Sequence, residues 1–254
     1  MFAATTMVAY DISTDPSRLF ILDTNLRNNR MILLLRGHLR NAFLDLKLFD
    51  LVSRICSLDK TIKIYIHTWN IYSNNISWRN IEINKTVVTN DIIYNYFGKL
   101  SSLISAILID DDKTISLTGN LSGKIAESMT PIIGWKNYWY GKHRLIEYVY
   151  NQNINKDELV INCRFDVLTN SNNFTEGDII RFIQDNLKTI FTKNVFIRNT
   201  ECNGIDNIYL GNIETFKKLS DIFYYKLDDI INENIRCRNP EHLVFHVNNT
   251  IFHA

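Results

Sequence analysis

The sequence predicts an α/β fold with a mainly parallel central sheet and helices on both faces. Three observations lead there. Short, continuous apolar runs recur along the chain, amphipathic stretches of helical period separate them, and each run ends in a polar loop. At 254 residues the chain has the length of one α/β domain or two small ones. A chain of this size buries enough surface to need no disulfide or structural metal as a staple.

The elements follow in order. Residues 1–29 form an extension without clear periodicity, apart from a short apolar stretch at 19–22. Residues 31–35 are a continuous apolar run, as expected of a strand buried on both faces. The polar loop Arg36-Gly37-His38-Leu39-Arg40 ends it. Residues 41–57 carry Phe43, Leu44, Leu48, Leu51, Val52 and Ile55 at helical spacing. A second strand at 62–66 ends in His67-Thr68-Trp69-Asn70, and a polar, aromatic stretch with Trp78 follows. A helix over 91–100 leads to a third strand at 105–109, which ends in Asp110-Asp111-Asp112.

Residues 113–134 read as loop, and 135–151 as a helix rich in aromatic residues. A buried strand at 158–163 ends in Arg164-Phe165-Asp166. A helix over 176–191, short strands at 194–197 and 207–210, a long helix over 214–232 and a terminal helix or turn from Pro240 complete the order. No linker rich in Pro, Gly or Ser marks a boundary. The expectation is therefore one domain over 30–254, with a C-terminal lobe from about residue 200.

Composition excludes several classes. The hydrophobic share is 46% and the charged share 22%, which is ordinary globular composition. With 28 basic against 27 acidic residues the net charge is +1, so phosphate-driven nucleic-acid binding is disfavoured. The cysteines at 56, 163, 202 and 237 form no CxxC pair, which removes a zinc ribbon or thioredoxin-like motif. Widely spaced cysteines fit reduced thiols in the cytoplasm. There is no apolar run of transmembrane length, and no basic-then-apolar start of the secretory type.

In open parallel sheets, ligands bind beyond the carboxyl ends of the strands. Here the polar loops RGHLR, HTWN, DDD and RFD all follow strands, so they converge on one edge. Arg36 and Arg40 offer guanidiniums with the geometry to grip phosphate, and Gly37 lets backbone approach a ligand. His67 and Trp69 offer a hydrogen-bonding ring and a stacking face. No GxGxxG and no GxxxxGK[ST] is present, which removes a Rossmann dinucleotide site and a P-loop. Asp166 could hold a divalent cation that bridges two phosphates. Asp110, Asp112 and Thr114 match D-x-D-x-T, the nucleophile motif of haloacid-dehalogenase-like phosphatases. The cluster Trp135, Tyr138, Trp139, Tyr140 and Tyr148 is too dense for one helix face, so part of it should line a pocket or the surface.

The succession RGHLRNAF, IYIHTWN, IGWKNYWYGK, VINCRFD, GIDNIYLGN and NPEHLVF resembles small glycosyltransferases of giant DNA viruses and of bacteria that make surface polysaccharides. It covers residues 31–250, nearly all of the chain beyond the extension. The resemblance implies a GT-A-like fold, a nucleotide-sugar donor and a carbohydrate acceptor. It also implies Mn²⁺ or Mg²⁺ held with the donor diphosphate by a D-x-D motif. RFD occupies that position, with Asp166 as the second carboxylate and Arg164 in place of the first. Arginine cannot bind a cation but can neutralise diphosphate directly. On this resemblance Arg36, Gly37, Arg40, His67, Trp69, Trp135, Lys136, Arg164 and Asp166 would surround the donor. The acceptor side would begin at about residue 200. Asp206 is the first candidate for the base that deprotonates the acceptor hydroxyl and Glu241 the second. His246 is a candidate late metal ligand. Two alternatives stand beside this reading: a phosphohydrolase using Asp110 and Asp112, and a sugar-binding protein without catalysis.

Overall fold

The computed structural model describes residues 30–77, 81–125, 128–169, 174–197, 205–234 and 239–252. The extension at 1–29, Trp78, Cys202 and Cys237 lie outside these residues. Eight strands are present among the described residues: β1 (Met31–Arg36), β2 (Lys63–Trp69), β3 (Ile71–Ser73), β4 (Asn84–Val87), β5 (Ile104–Asp110), β6 (Leu159–Arg164), β7 (Val195–Ile197) and β8 (Ile205–Asn212). The helices are α1 (Lys47–Leu58), α2 (Asn90–Phe97), α3 (Ile132–Tyr150), α4 (Glu176–Asn186), α5 (Ile213–Tyr225), α6 (Leu227–Glu233) and α7 (Pro240–Ile251), with a 3₁₀ stretch at Gly98–Leu103.

Six strands form one sheet in the order β5-β2-β1-β6-β8-β7, and its first four members are parallel. The fold is thus the expected α/β arrangement, built around a mostly parallel sheet. β8 departs from a simple alternation of strand and helix. It pairs antiparallel with both β6 and β7. The connection between 197 and 205 is too short for a crossover helix, so the chain folds back and inserts β8 between β6 and β7.

Alternation along β1 separates two cores. Leu33 and Leu35 pack with residues of α1, α2 and α4. Ile32 and Leu34 pack with α3, α5, α6 and α7. On the second face Trp139 is wholly buried and stacks on Phe223 at 4.1 Å. Burying a ring of that size contributes roughly 3 kcal/mol. Helix starts are fixed locally: Thr175 and Asp178 cap α4 reciprocally, and Asn212 and Thr215 do the same for α5.

Several boundaries differ from expectation. β2 runs on to Trp69, because β5 pairs with it as far as Asp110, so His67 and Trp69 sit on a strand rather than in a loop. Turns occupy 41–46, and α1 begins where Asp45 accepts a hydrogen bond from the Lys47 amide at 3.0 Å. The helix expected over 214–232 breaks at Lys226, where φ is −125°. The helix expected to reach 191 ends at Asn186. The β3–β4 hairpin was not foreseen, since all four residues of β4 are exposed and leave no apolar trace.

Candidate active site

From β1 the chain builds outward through β2 to β5, then returns along α3 to β6 on the other side of β1. The β1–β6 junction is therefore a topological switch point, where open α/β sheets form ligand crevices. Arg36 ends β1 and Arg164 ends β6, and the two are register partners. Arg36 follows Ile32 and Leu34 on the face covered by α3, so its guanidinium runs under that helix. A cleft enclosing about 1140 Å³, open solvent at its mouth included, lies over this junction.

Arg36 is a buried hub, 2% exposed. Its Nε donates to Asn162 Oδ1 at 2.5 Å, and Nη2 donates to Tyr138 Oη at 2.5 Å and to the Asp206 carbonyl at 3.1 Å. Every one of these acceptors is uncharged.

Arg164 grips Asp166 with two parallel bonds, Nε to Oδ1 at 2.8 Å and Nη2 to Oδ2 at 2.7 Å. Its Nη1 donates to Asn207 Oδ1 at 2.9 Å. Arg40 Nη1 donates to the same Asp166 Oδ2 at 2.6 Å. Arg40 holds φ at +50°, the left-handed region, with its amide bonded to the Tyr72 carbonyl at 2.8 Å. A non-glycine residue in that region is strained, and such strain clusters where a side chain must be aimed. Gly37, at φ +103°, makes the turn that precedes it.

Aromatic residues build one wall. Trp135 and Tyr138, three apart on α3, stack at 4.7 Å and 3° between planes. Trp69 meets the edge of His67 at 5.2 Å. His67 is wholly buried, with Nε2 3.2 Å from Asp110 Oδ2. Burial lowers its pKa, and Asp110 opposes that shift. His38 also lines the cleft, with Nε2 buried and unpartnered. Burial, then the Arg40 charge, lowers its pKa to about 3, so the ring is neutral near pH 7.

Asp206 lies at the other side of the junction. Its carboxylate accepts a short hydrogen bond from Tyr138 Oη. Lys142 Nζ stands 3.8 Å from Asp206 Oδ2, beyond hydrogen-bonding reach, over the Trp139 ring at 3.8 Å. Burial, then Arg36, pulls the Lys142 pKa well down, and the pull of Asp206 does not compensate. Glu241, in the first turn of α7, completes this side of the cleft.

The cleft brings together Arg36, Gly37, Arg40, His67, Trp69, Trp135, Arg164, Asp166, Asp206 and Glu241. Lys136 is not on its wall. Its side chain turns away, donating to the Thr118 carbonyl at 2.5 Å and to Asp228 Oδ2 at 2.9 Å. Asp110 and Asp112 also lie off the wall: Asp110 holds His67 and Arg144, and Asp112 accepts from Asn74. His246 is exposed on α7 and does not face the cleft.

Sequence reasoning assigned no role to His38, Tyr138, Asn162, Asn207 or Lys142. His38 stood inside RGHLR and Tyr138 inside the aromatic cluster, so a signal existed for both. Asn162 lies in an apolar run, and its partner Arg36 is 126 positions away, so nothing local pointed to it.

Asp166 does not fit a divalent cation as its neighbours stand. Both its oxygens accept guanidinium N–H bonds, and Mg²⁺ or Mn²⁺ would have to displace them while surrounded by positive charge. Among the described residues, the group of three potential ligands within 4.8 Å of one another is His143, Glu147 and Asp221. It lies outside the cleft, and the Lys217 ammonium already bridges its two carboxylates at 2.9 and 2.7 Å.

Fold and cleft together define an α/β protein with a candidate ligand site at the switch point of a mostly parallel sheet. No family model and no curated protein matches the sequence. Among solved structures, an active-site mutant of LgtC is similar, with a TM-score of 0.44 and 10% identity over 86% of this chain and 70% of that one. No helix among the described residues is long and apolar enough to cross a membrane.

Proposed function

We propose that the protein is a glycosyltransferase of GT-A-like fold that moves a sugar from a nucleotide-sugar donor to a carbohydrate acceptor. One observation carries the reading. Arg36 and Arg164, paired in register at the switch point, open into a cleft beside the flat Trp135–Tyr138 stack. Paired guanidiniums suit a diphosphate, and the indole of Trp135 on the cleft wall, backed by Tyr138, suits a base or a sugar ring.

In this reading the donor's diphosphate lies against Arg36, Arg40 and Arg164. The acceptor hydroxyl attacks the anomeric carbon and forms the new C–O bond. The bond to the diphosphate breaks, and its electron pair leaves on the phosphate oxygen, where the guanidiniums meet the developing charge. The hydroxyl proton passes to Asp206, whose carboxylate Tyr138 Oη orients. The segment from about residue 200 supplies Asp206 and Glu241 and forms the acceptor side. The buried, unpaired thiols of Cys56 and Cys163 suit a reducing compartment such as the cytoplasm.

The test is thermal stabilisation by UDP-, GDP-, dTDP- and CMP-sugars, followed by transfer of the stabilising donor's sugar to a panel of glycan acceptors. A ligand at about 100 times its Kd adds roughly 2.7 kcal/mol, a visible shift. One donor should stabilise and then be consumed in proportion to new glycan. Absence of stabilisation by every donor would sink the proposal.

A further inference from the structure

We infer that this cleft binds a diphosphate through guanidiniums alone, without a divalent cation, and that Asp166 is the brace that holds Arg40 and Arg164 in place. The inference deepens the transferase reading by naming how the leaving group is held, and it rests on that reading only for the nucleoside attached to the diphosphate.

The geometry around Asp166 inverts the task expected of an acidic residue beside a donor. Arg164 closes a two-bond fork on it, and Arg40 adds a bond at 2.6 Å. One carboxylate charge is thus shared by two guanidiniums. Arg36, the third, bonds only to uncharged acceptors. Among the described residues, Arg36, Arg40 and Arg164 meet at this corner, and Asp166 is the carboxylate that two of them bond directly. Asp206 and Glu241 also line the cleft. The groups gathered at the corner itself are thus suited to a phosphate and not to a metal ion. The next carboxylate, Asp206, is bonded by the neutral Tyr138 hydroxyl.

Two further features point to an anion. The His38 Nε2, buried on the cleft wall and without a partner, offers a hydrogen bond to a phosphate oxygen with no change in charge. Arg40 is carried on a left-handed backbone position, so the strain of its placement is offset by the Asp166 bond and the Tyr72 carbonyl. Asp166 therefore acts as a positioning residue, and the guanidiniums are the binding groups.

The experiment is calorimetric titration of the full chain with inorganic diphosphate, UDP, GDP and dTDP, each in EDTA and again in Mn²⁺. At least one should bind in EDTA, with its Kd changed less than about threefold by Mn²⁺. Arg40→Gln, at a partly exposed position, should weaken that binding about 10- to 100-fold. Asp166→Asn discriminates by sign. As a mere negative charge, its removal would tighten anion binding; as a brace, its removal loosens the two arginines and weakens binding in EDTA. Binding that appears only with Mn²⁺ would overturn the inference and leave the transferase reading standing. Inorganic diphosphate binding in EDTA without any nucleoside diphosphate would uphold the inference and remove the transferase reading. Absence of binding under both conditions, unaltered binding by Arg40→Gln, or tighter binding by Asp166→Asn would overturn the inference.

Discussion

A Cβ at position 141 would stand 2.7 Å from Nδ1 of His67. Glycine on α3 is what lets that helix press against β2 and seat the ring at the cleft wall. Gly141→Ala should therefore cost about 1–3 kcal/mol, as overpacking of a tight contact does. Urea denaturation reads the loss, and His67→Ala in the same chain should recover part of it. A cost that stays the same in both backgrounds would show that another contact is responsible.

Asp206→Asn retains the oxygen that accepts from Tyr138 and removes the base. Transfer should fall about 10²- to 10⁴-fold, with donor affinity nearly unchanged. Single-turnover rates beside donor Kd values separate the two effects. A full rate in Asp206→Asn with a loss in Glu241→Gln would move the base to α7.

Arg36→Met should cost about 1–3 kcal/mol in stability and abolish donor binding, because it leaves the buried Asn162 Oδ1 without its donor and takes one bond each from Tyr138 Oη and the Asp206 carbonyl, which stay bonded to each other. Chemical denaturation measures the first effect and titration the second. A chain as stable as the parent would show that the hub is not holding the junction together.

Lys142 is a base whose folded pKa is lowered, with burial as the main cause. Between that lowered pKa and about 10 the unfolded chain binds a proton that the folded chain does not, so stability rises with pH across this window. Past about pH 10 the buried tyrosines Tyr138 and Tyr209, whose pKa values burial raises, act in the opposite direction. Lys142→Met should flatten the rise on the acid side of about pH 10 and leave stability at neutral pH unchanged or higher. Melting temperature against pH for both chains checks it.

His38 gives the acid counterpart. Its pKa falls from 6.5 to about 3 on folding, so the unfolded chain takes up a proton first as pH drops. Stability from this group is intact above about pH 6.5 and is lost progressively toward pH 3. His38→Asn should shallow that acid slope. His67 shifts in the same direction, so part of the slope should remain.

The parallel heart of the sheet was legible because its strands are apolar on both faces. MILLL and LVINC can hardly sit elsewhere than in the middle. The rule that ligands gather beyond strand ends then led from those runs to Arg36, Arg164 and Asp166 without knowledge of their contacts. The β3–β4 hairpin was not legible, since NKTV is exposed and has no period to follow. Lys136 was misplaced because its ammonium turns to the Thr118 carbonyl and Asp228, on the side of α3 away from the arc of Gly134, Trp135, Tyr138 and Gly141 that faces the cleft. Asp166 was legible as a strand-end acid but not as a brace, because Arg40 lies 126 positions earlier and only the folded sheet brings them together.

The Arg36 bond to the Asp206 carbonyl joins positions 170 residues apart. One wall of the cleft is thus laid down by the first strand of the sheet and the other by β8, the last of the described strands. A growing polypeptide has no working pocket until β8 has been made and has slotted in beside β6. Turnover in such a molecule would mark completed assembly, and a chain halted before residue 205 would lack it even with its first four parallel strands in register.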